Sequence, residues 1–302
     1  HAIARYGIAG LLPDSVRMIH GPGCPVCVLP IGRIDLAIRL ALERGVMLCT
    51  YGDTMRVPAS EGLSLIKAKA RGADVRMVYS AADALALADK HPEREVVFLA
   101  IGFETTTPPT ALVLREARER AVPNFSVLCC HVLTPAAITH ILESAEVRQL
   151  GTVPIDGFIG PAHVSIVIGS QPYEHFAEEY RKPVVISGFE PLDVMQGILM
   201  LVRQVNAGRA EVENEFSRAV TPEGNLAAQN LVSQVFELRE SFEWRGLGEV
   251  PYSALKIRPA FAAWDAERKF ALQYSSVPDH KQCECGAILR GVKRPTDCKL
   301  FG

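Results

Sequence analysis

VVFLAIGFETTTP, Val96–Pro108, decides the fold. Val96 to Ile101 is an unbroken run of β-type apolar residues, too long for a turn and too short for a membrane span. Gly102 ends it, a polar stretch follows, and Pro109–Arg120 then repeats its apolar residues at helical spacing. A buried strand, a loop at its carboxyl end and an amphipathic helix make half of a βαβ unit.

The same alternation extends in both directions. Strands are expected at Val16–His20, Val46–Thr50 and Val75–Tyr79 upstream, and at Ser126–Cys130, Gly157–Ile159 and Val184–Ser187 downstream. Helical patterns lie between them at Ile34–Arg44, Gly62–Arg71, Ala81–His91 and Pro135–Leu150. The class is therefore α/β with parallel sheets. A faint repeat suggests two lobes. Gly21-Pro22 precedes Gly52-Asp53 by 31 residues, and Gly160-Pro161 precedes Gly188 and Glu190 by a 28-residue step to the glycine. Helices are expected at Leu192–Ala207 and Asn225–Glu240, and an irregular stretch from Trp244 onward. The expected divisions are 1–108 and 109–208 for the lobes, with 209–302 as a helical and irregular region.

Composition narrows the function. A net charge of −2 over 302 residues gives no electrostatic basis for binding nucleic acid or a membrane surface. No run approaches the roughly 20 apolar residues of a membrane helix. The chain begins at His1 without a signal-peptide pattern and stops four residues after Cys298, so both ends read as cuts through a longer chain. Eight cysteines are too few for a secreted disulfide scaffold of this size. Their grouping points to a cytoplasmic protein whose thiols do redox or metal chemistry.

Cys24 and Cys27 stand in His20-Gly21-Pro22-Gly23-Cys24-Pro25-Val26-Cys27, a C-x-x-C ahead of a helix. Such a pair can close a small disulfide ring, and a nearby helix N-terminus would lower a thiol pKa. Half of a zinc knuckle is the competing interpretation. Cys283, Cys285 and Cys298 form a second group, with twelve residues between the last two. Their spacing suits iron–sulfur or structural zinc equally. Cys49, Cys129 and Cys130 lie within apolar runs and read as core thiols. Ligands of open α/β sheets bind at strand carboxyl ends, so Asp53, Glu104, His131, His163 and Glu190 are expected to converge on one cleft. Thr105, Thr106 and Thr107 read equally well as helix caps.

These segments, in this order, resemble the HypD family of hydrogenase maturation proteins. Gly21–Cys27, Tyr51–Pro58, Gly102–Pro108, Asp156–Ser165, Ser187–Pro191 and Cys283–Cys298 carry the likeness over nearly the whole chain. The resemblance implies two Rossmann-like parallel-sheet lobes facing a cleft, plus a small irregular region with a [4Fe–4S] cluster. It implies an assembly scaffold with redox activity rather than a conventional turnover enzyme. On it, with a HypC-type chaperone, iron acquires cyanide and carbon monoxide ligands, the cyanide coming from a HypE-type donor. Cys24 and Cys27 would be the redox dithiol; Asp53, Glu104, His163 and Glu190 would line the cleft. Cys283, Cys285 and Cys298 would include cluster ligands. The family also carries a Cys-Gly-Gly-His-Thr motif just upstream and cysteines further downstream, so this fragment is expected to complete neither metal site alone. A thiol–disulfide oxidoreductase and a zinc-stabilised α/β enzyme are the alternatives.

Overall fold

The structure, a computed structural model, describes residues 2–144 and 155–299. The chain forms two compact units that alternate along the sequence. The first comprises Cys24–Leu133 and Asn230–Cys283, the second His1–Gly23, Thr134–Gln229 and Glu284–Gly302.

The first unit holds a four-stranded parallel sheet. Its strands are β1 (Met47–Thr50), β2 (Val75–Met77), β3 (Val96–Gly102) and β4 (Phe125–His131), in spatial order β2-β1-β3-β4. Every residue of β1, β3 and β4 is buried. Near-continuous apolar runs are what a parallel sheet covered on both faces requires. The helices begin where local chemistry allows. Ser80 accepts the Asp83 N–H while the Asp83 carboxylate accepts the Ser80 N–H, a capping box that opens Ala81–Lys90. Proline in the first turn opens Thr107–Glu119, where a missing N–H costs nothing.

The second unit has a three-stranded parallel sheet of β5 (Phe158–Pro161), β6 (Val184–Ser187) and β7 (Val212–Asn214), in that order. Pro191 starts its long helix, Pro191–Asn206. Ile138, Tyr173, Phe176, Val184 and Ile186 form its core.

Both sheets are parallel and alternate with helices, as the sequence pattern requires. Several expectations differ. Val16–His20 is not a strand: Val16 is held in a turn by its N–H to the Pro13 carbonyl, 2.8 Å, and the run lines an apolar groove along β5. The boundary at 108 does not hold for the first sheet, because β4 pairs with β3 across seven positions, from Val96↔Phe125 to Gly102↔His131. The internal repeat is weaker than its spacing suggests. Gly160-Pro161 lies inside β5, whereas Gly21-Pro22 follows no strand. The strand signal also does not end near Asp193. Phe236–Leu238 pairs antiparallel with Leu255–Ile257, and Ser241–Trp244 with Gly248–Pro251. These strands of three or four residues are too short to show a period. The helix expected to run to Leu150 is seen as Thr134–Leu142; 145–150 lie outside the described residues. No helix among the described residues is long and apolar enough to cross a membrane.

Candidate functional site

Cys24 starts a tight turn. The N–H groups of Cys27 and Val28 both reach the Cys24 carbonyl, at 3.1 and 3.2 Å, and the Cys27 N–H also points at the Cys24 sulfur, 3.2 Å away. Cys24 is half-buried and Cys27 exposed. The hydrogen bond with the Cys27 side chain, helped by the N–H groups of Cys27 and Val26, pulls the Cys24 thiol down to about 6. Burial and the Asp53 charge oppose the shift without cancelling it. The shift favours the thiolate form of Cys24 at neutral pH. Local hydrogen bonds therefore do what the sequence attributed to a helix end; the helix Ile31–Glu43 begins only after Pro30.

Beside the turn lies a cavity of about 180 Å³ at the carboxyl ends of β1 and β3. Pro25 and Val26 form one side; Asp53, Thr54, Phe103 and Thr106 are among the others. Gly102 permits this loop to fold on itself, since a Cβ there would meet the Thr106 hydroxyl at 1.7 Å. The threonines serve the backbone. Thr106 donates to the Phe103 carbonyl at 3.0 Å and Thr107 to the Glu104 carbonyl at 2.8 Å. Phe103 stacks on Trp244 at 6.4 Å.

Two residues expected near a cleft, Glu104 and His131, are core residues. Glu104 is 4% exposed. His131 is fully buried, with Nε2 3.0 Å from the Thr110 hydroxyl and Nδ1 3.4 Å from that of Thr106. Burial pushes the His131 imidazole down to about 4, so it is neutral at ordinary pH. Cys49, Cys129 and Cys130 are buried core thiols, as their apolar runs indicated, and burial drives Cys130 up to about 11 and Cys129 and Cys49 to about 12.

His163 and Glu190 belong to the second unit, Asp53 and Glu104 to the first. His163 stacks on Phe189 with ring centroids 4.4 Å apart and planes 13° from parallel. Glu190 lies 3.9 Å from Arg218, which also reaches Asp193 at 2.5 Å and Glu215 at 3.9 Å, and whose guanidinium sits 3.8 Å over Phe216. The Arg218 hydrogen bond holds the Asp193 carboxyl below its usual range, while burial raises Glu215. Gly188 makes room for this group, because a Cβ would meet the Asp193 carboxylate at 2.0 Å. Arg218, Asp193 and Glu215 escaped the sequence analysis. They gather from separate elements, with no motif to mark them.

The tail thiols are distributed. The Cys283 N–H bonds to the His280 carbonyl at 2.7 Å, Cys285 begins the helix Cys285–Leu289, and Cys298 follows the turn Pro295–Asp297. Cys283 closes the first unit; Cys285 and Cys298 belong to the second. Among the described residues no three His, Cys, Asp or Glu side chains are gathered to hold a metal ion. Thiolates are the right donors for an iron–sulfur cluster, and the three cysteines here are one short of its usual four-ligand set.

The family model HypD, described as "Hydrogenase formation hypA family", matches residues 1–302. The chain is 79% identical to the hydrogenase maturation factor HypD of Cupriavidus necator over 301 residues, covering 100% of this chain and 79% of that protein. It is 69% identical to the HypD of Rhizobium leguminosarum bv. viciae, covering all of this chain and 78% of the relative. With the HypD of Escherichia coli the identity is 46%, again over the whole chain and 79% of the relative.

Proposed function

The chain belongs to the HypD family of hydrogenase maturation factors, and from that premise we propose that it is a scaffold on which the iron centre of [NiFe] hydrogenase is assembled. The observation that carries the reading is the Cys24–Cys27 turn, in which the Cys27 N–H reaches the Cys24 sulfur at 3.2 Å, set beside a cavity at the strand ends.

The cargo is an iron ion that acquires cyanide and carbon monoxide. A HypC-type chaperone shares it, and a HypE-type protein donates the cyanide. Strong-field ligands favour low-spin iron, and assembly requires electrons. The dithiol can supply them. Joining the Cys24 thiolate to the Cys27 thiol forms one S–S bond and releases one proton and two electrons, which would reduce two ferric ions to ferrous, one electron each. Cys283, Cys285 and Cys298 would provide three thiolates toward a [4Fe–4S] cluster, whose chemistry is one-electron storage. Because the described residues do not complete that set, no step is assigned to it. Eight cysteines grouped in this way in a chain of 302 residues suit the reducing cytoplasm better than a secreted disulfide scaffold.

A thiol–disulfide oxidoreductase is the second reading, favoured by a Cys24 pKa of about 6 in a C-x-x-C. Hydrogenase maturation in cells lacking their own HypD tests both. The full-length chain with Cys24→Ala should fail to mature hydrogenase, and the purified wild type should reduce no model protein disulfide catalytically. Normal maturation by Cys24→Ala would sink the scaffold role of the dithiol.

A further inference from the structure

Tyr274–Cys283 contains no helix or strand, yet contacts along it tie it to residues that follow Cys27. At Gly32 the Ser275 carbonyl oxygen approaches to 2.2 Å of where a Cβ would stand. Only glycine admits that backbone-to-helix approach. Next to it, the Arg33 guanidinium lies between the rings of Tyr274, 4.3 Å away, and Phe242, 4.8 Å away, while pairing with Glu267 at 2.7 Å. The Tyr274 hydroxyl bonds to the Glu243 carboxylate. Further along, the Arg245 N–H donates to the Val28 carbonyl at 2.7 Å, and the Gly246 N–H donates to the Asp279 carboxylate at 3.1 Å. One hairpin turn thus grips the residue after Cys27 and, four residues before Cys283, the incoming tail.

We propose that Tyr274–Cys283 is a strap, and that Gly32, Arg33, Arg245 and Asp279 are positioning residues that hold Cys283 in a fixed relation to the Cys24–Cys27 turn during maturation. The proposal rests on the reading that the tail thiols take part in that reaction. Its physical basis is chain reach. Cys283 lies eight residues along from Ser275, and a free chain of that length spreads over roughly 16 Å. Anchoring Asp279 leaves four residues and shortens the spread to roughly 11 Å. Sulfur and metal chemistry needs a thiol placed far more closely than either, so each anchor raises the fraction of time Cys283 is where it acts.

The test uses the full-length chain. Asp279→Ala removes the acceptor for the Gly246 N–H; Asp279→Asn keeps one. Asp279→Ala should speed alkylation of Cys283 about tenfold, as expected when a hydrogen bond to a charged group is lost and the segment opens. It should lower hydrogenase maturation by a similar factor while leaving the Cys24 alkylation midpoint near pH 6. Asp279→Asn should restore most of both. Gly32→Ala should act in the same direction; if that variant does not fold, the Asp279 pair decides. The strap is overturned if Asp279→Ala leaves Cys283 as protected as before, or frees it with maturation intact. Cys283→Ser separates this from the underlying reading. Maturation that survives Cys283→Ser overturns the role of the tail thiol itself, whereas maturation lost in Cys283→Ser but kept in Asp279→Ala overturns only the strap.

Discussion

The backbone N–H of Cys27 points at the sulfur of Cys24 from 3.2 Å, so the second cysteine of the pair stabilises the charge on the first. The Cys27 side chain contributes the larger share. Alkylation of Cys24 by a small maleimide should therefore rise with pH through a midpoint near 6. Cys27→Ala should move the midpoint up, and Asp53→Asn, by removing a negative charge that opposes the thiolate, should move it down. Because this pKa is depressed on folding, the associated stability is fully present above about pH 9 and is lost as pH falls through about 6. Peptide mass spectrometry of alkylated protein across pH reads all three midpoints.

His131 predicts acid sensitivity of the opposite origin. It stays neutral in the fold down to about pH 4, whereas the unfolded chain takes up the proton near pH 6.5. Above 6.5 the group has no effect. Between 6.5 and 4 it lowers stability progressively, by about 3 kcal/mol in total. His131→Gln should flatten that part of the curve in urea denaturation from pH 7 to pH 4. An unchanged slope would mean that the ring is solvated.

Gly102→Ala should destabilise the first unit by about 1–3 kcal/mol, because the new methyl collides with the Thr106 side chain. Adding Thr106→Ala should recover much of the loss, since it removes the colliding hydroxyl. Thermal unfolding of the two single variants and the double variant gives the coupling directly.

Arg218→Ala should raise the pKa of Asp193, whose depression comes first from the Arg218 hydrogen bond. The sign follows: the stabilisation lost is present at neutral pH and fades in the wild type as pH falls below about 3.8, so the two proteins should converge in acid. Carboxyl NMR titration reads the shift, and denaturation at pH 7 and pH 3 reads the convergence.

The parallel sheets were legible because β1, β3, β4 and β6 are buried on both faces and so read as apolar runs. Gly52, Gly102 and Gly188 marked the loops at the carboxyl ends of β1, β3 and β6. Val16–His20 has the same composition but no ladder among the described residues, and composition does not reveal whether a strand finds a neighbour. Cys24 and Asp53 were legible separately, as a redox thiol and a strand-end carboxylate; that Pro25, Val26 and Asp53 line one cavity was not. His131 misled because it ends β4, where ligand-binding residues stand, but its ring is turned toward Thr110. The Arg218 cluster and the Tyr274–Cys283 strap depend on contacts among residues far apart in sequence, so neither left a local pattern.

The first unit is built from two stretches separated by nearly a hundred residues of the other unit. Its late stretch is integral: the Leu133 N–H bonds to the Ser253 carbonyl, and Trp264 donates to the Val122 carbonyl. A ribosome making this chain thus releases the four-stranded sheet long before the residues that cover it. During that interval the nascent β4 edge and its apolar neighbours are open to misassociation, so pausing or chaperone access while residues 134–229 are translated should govern the yield of native protein.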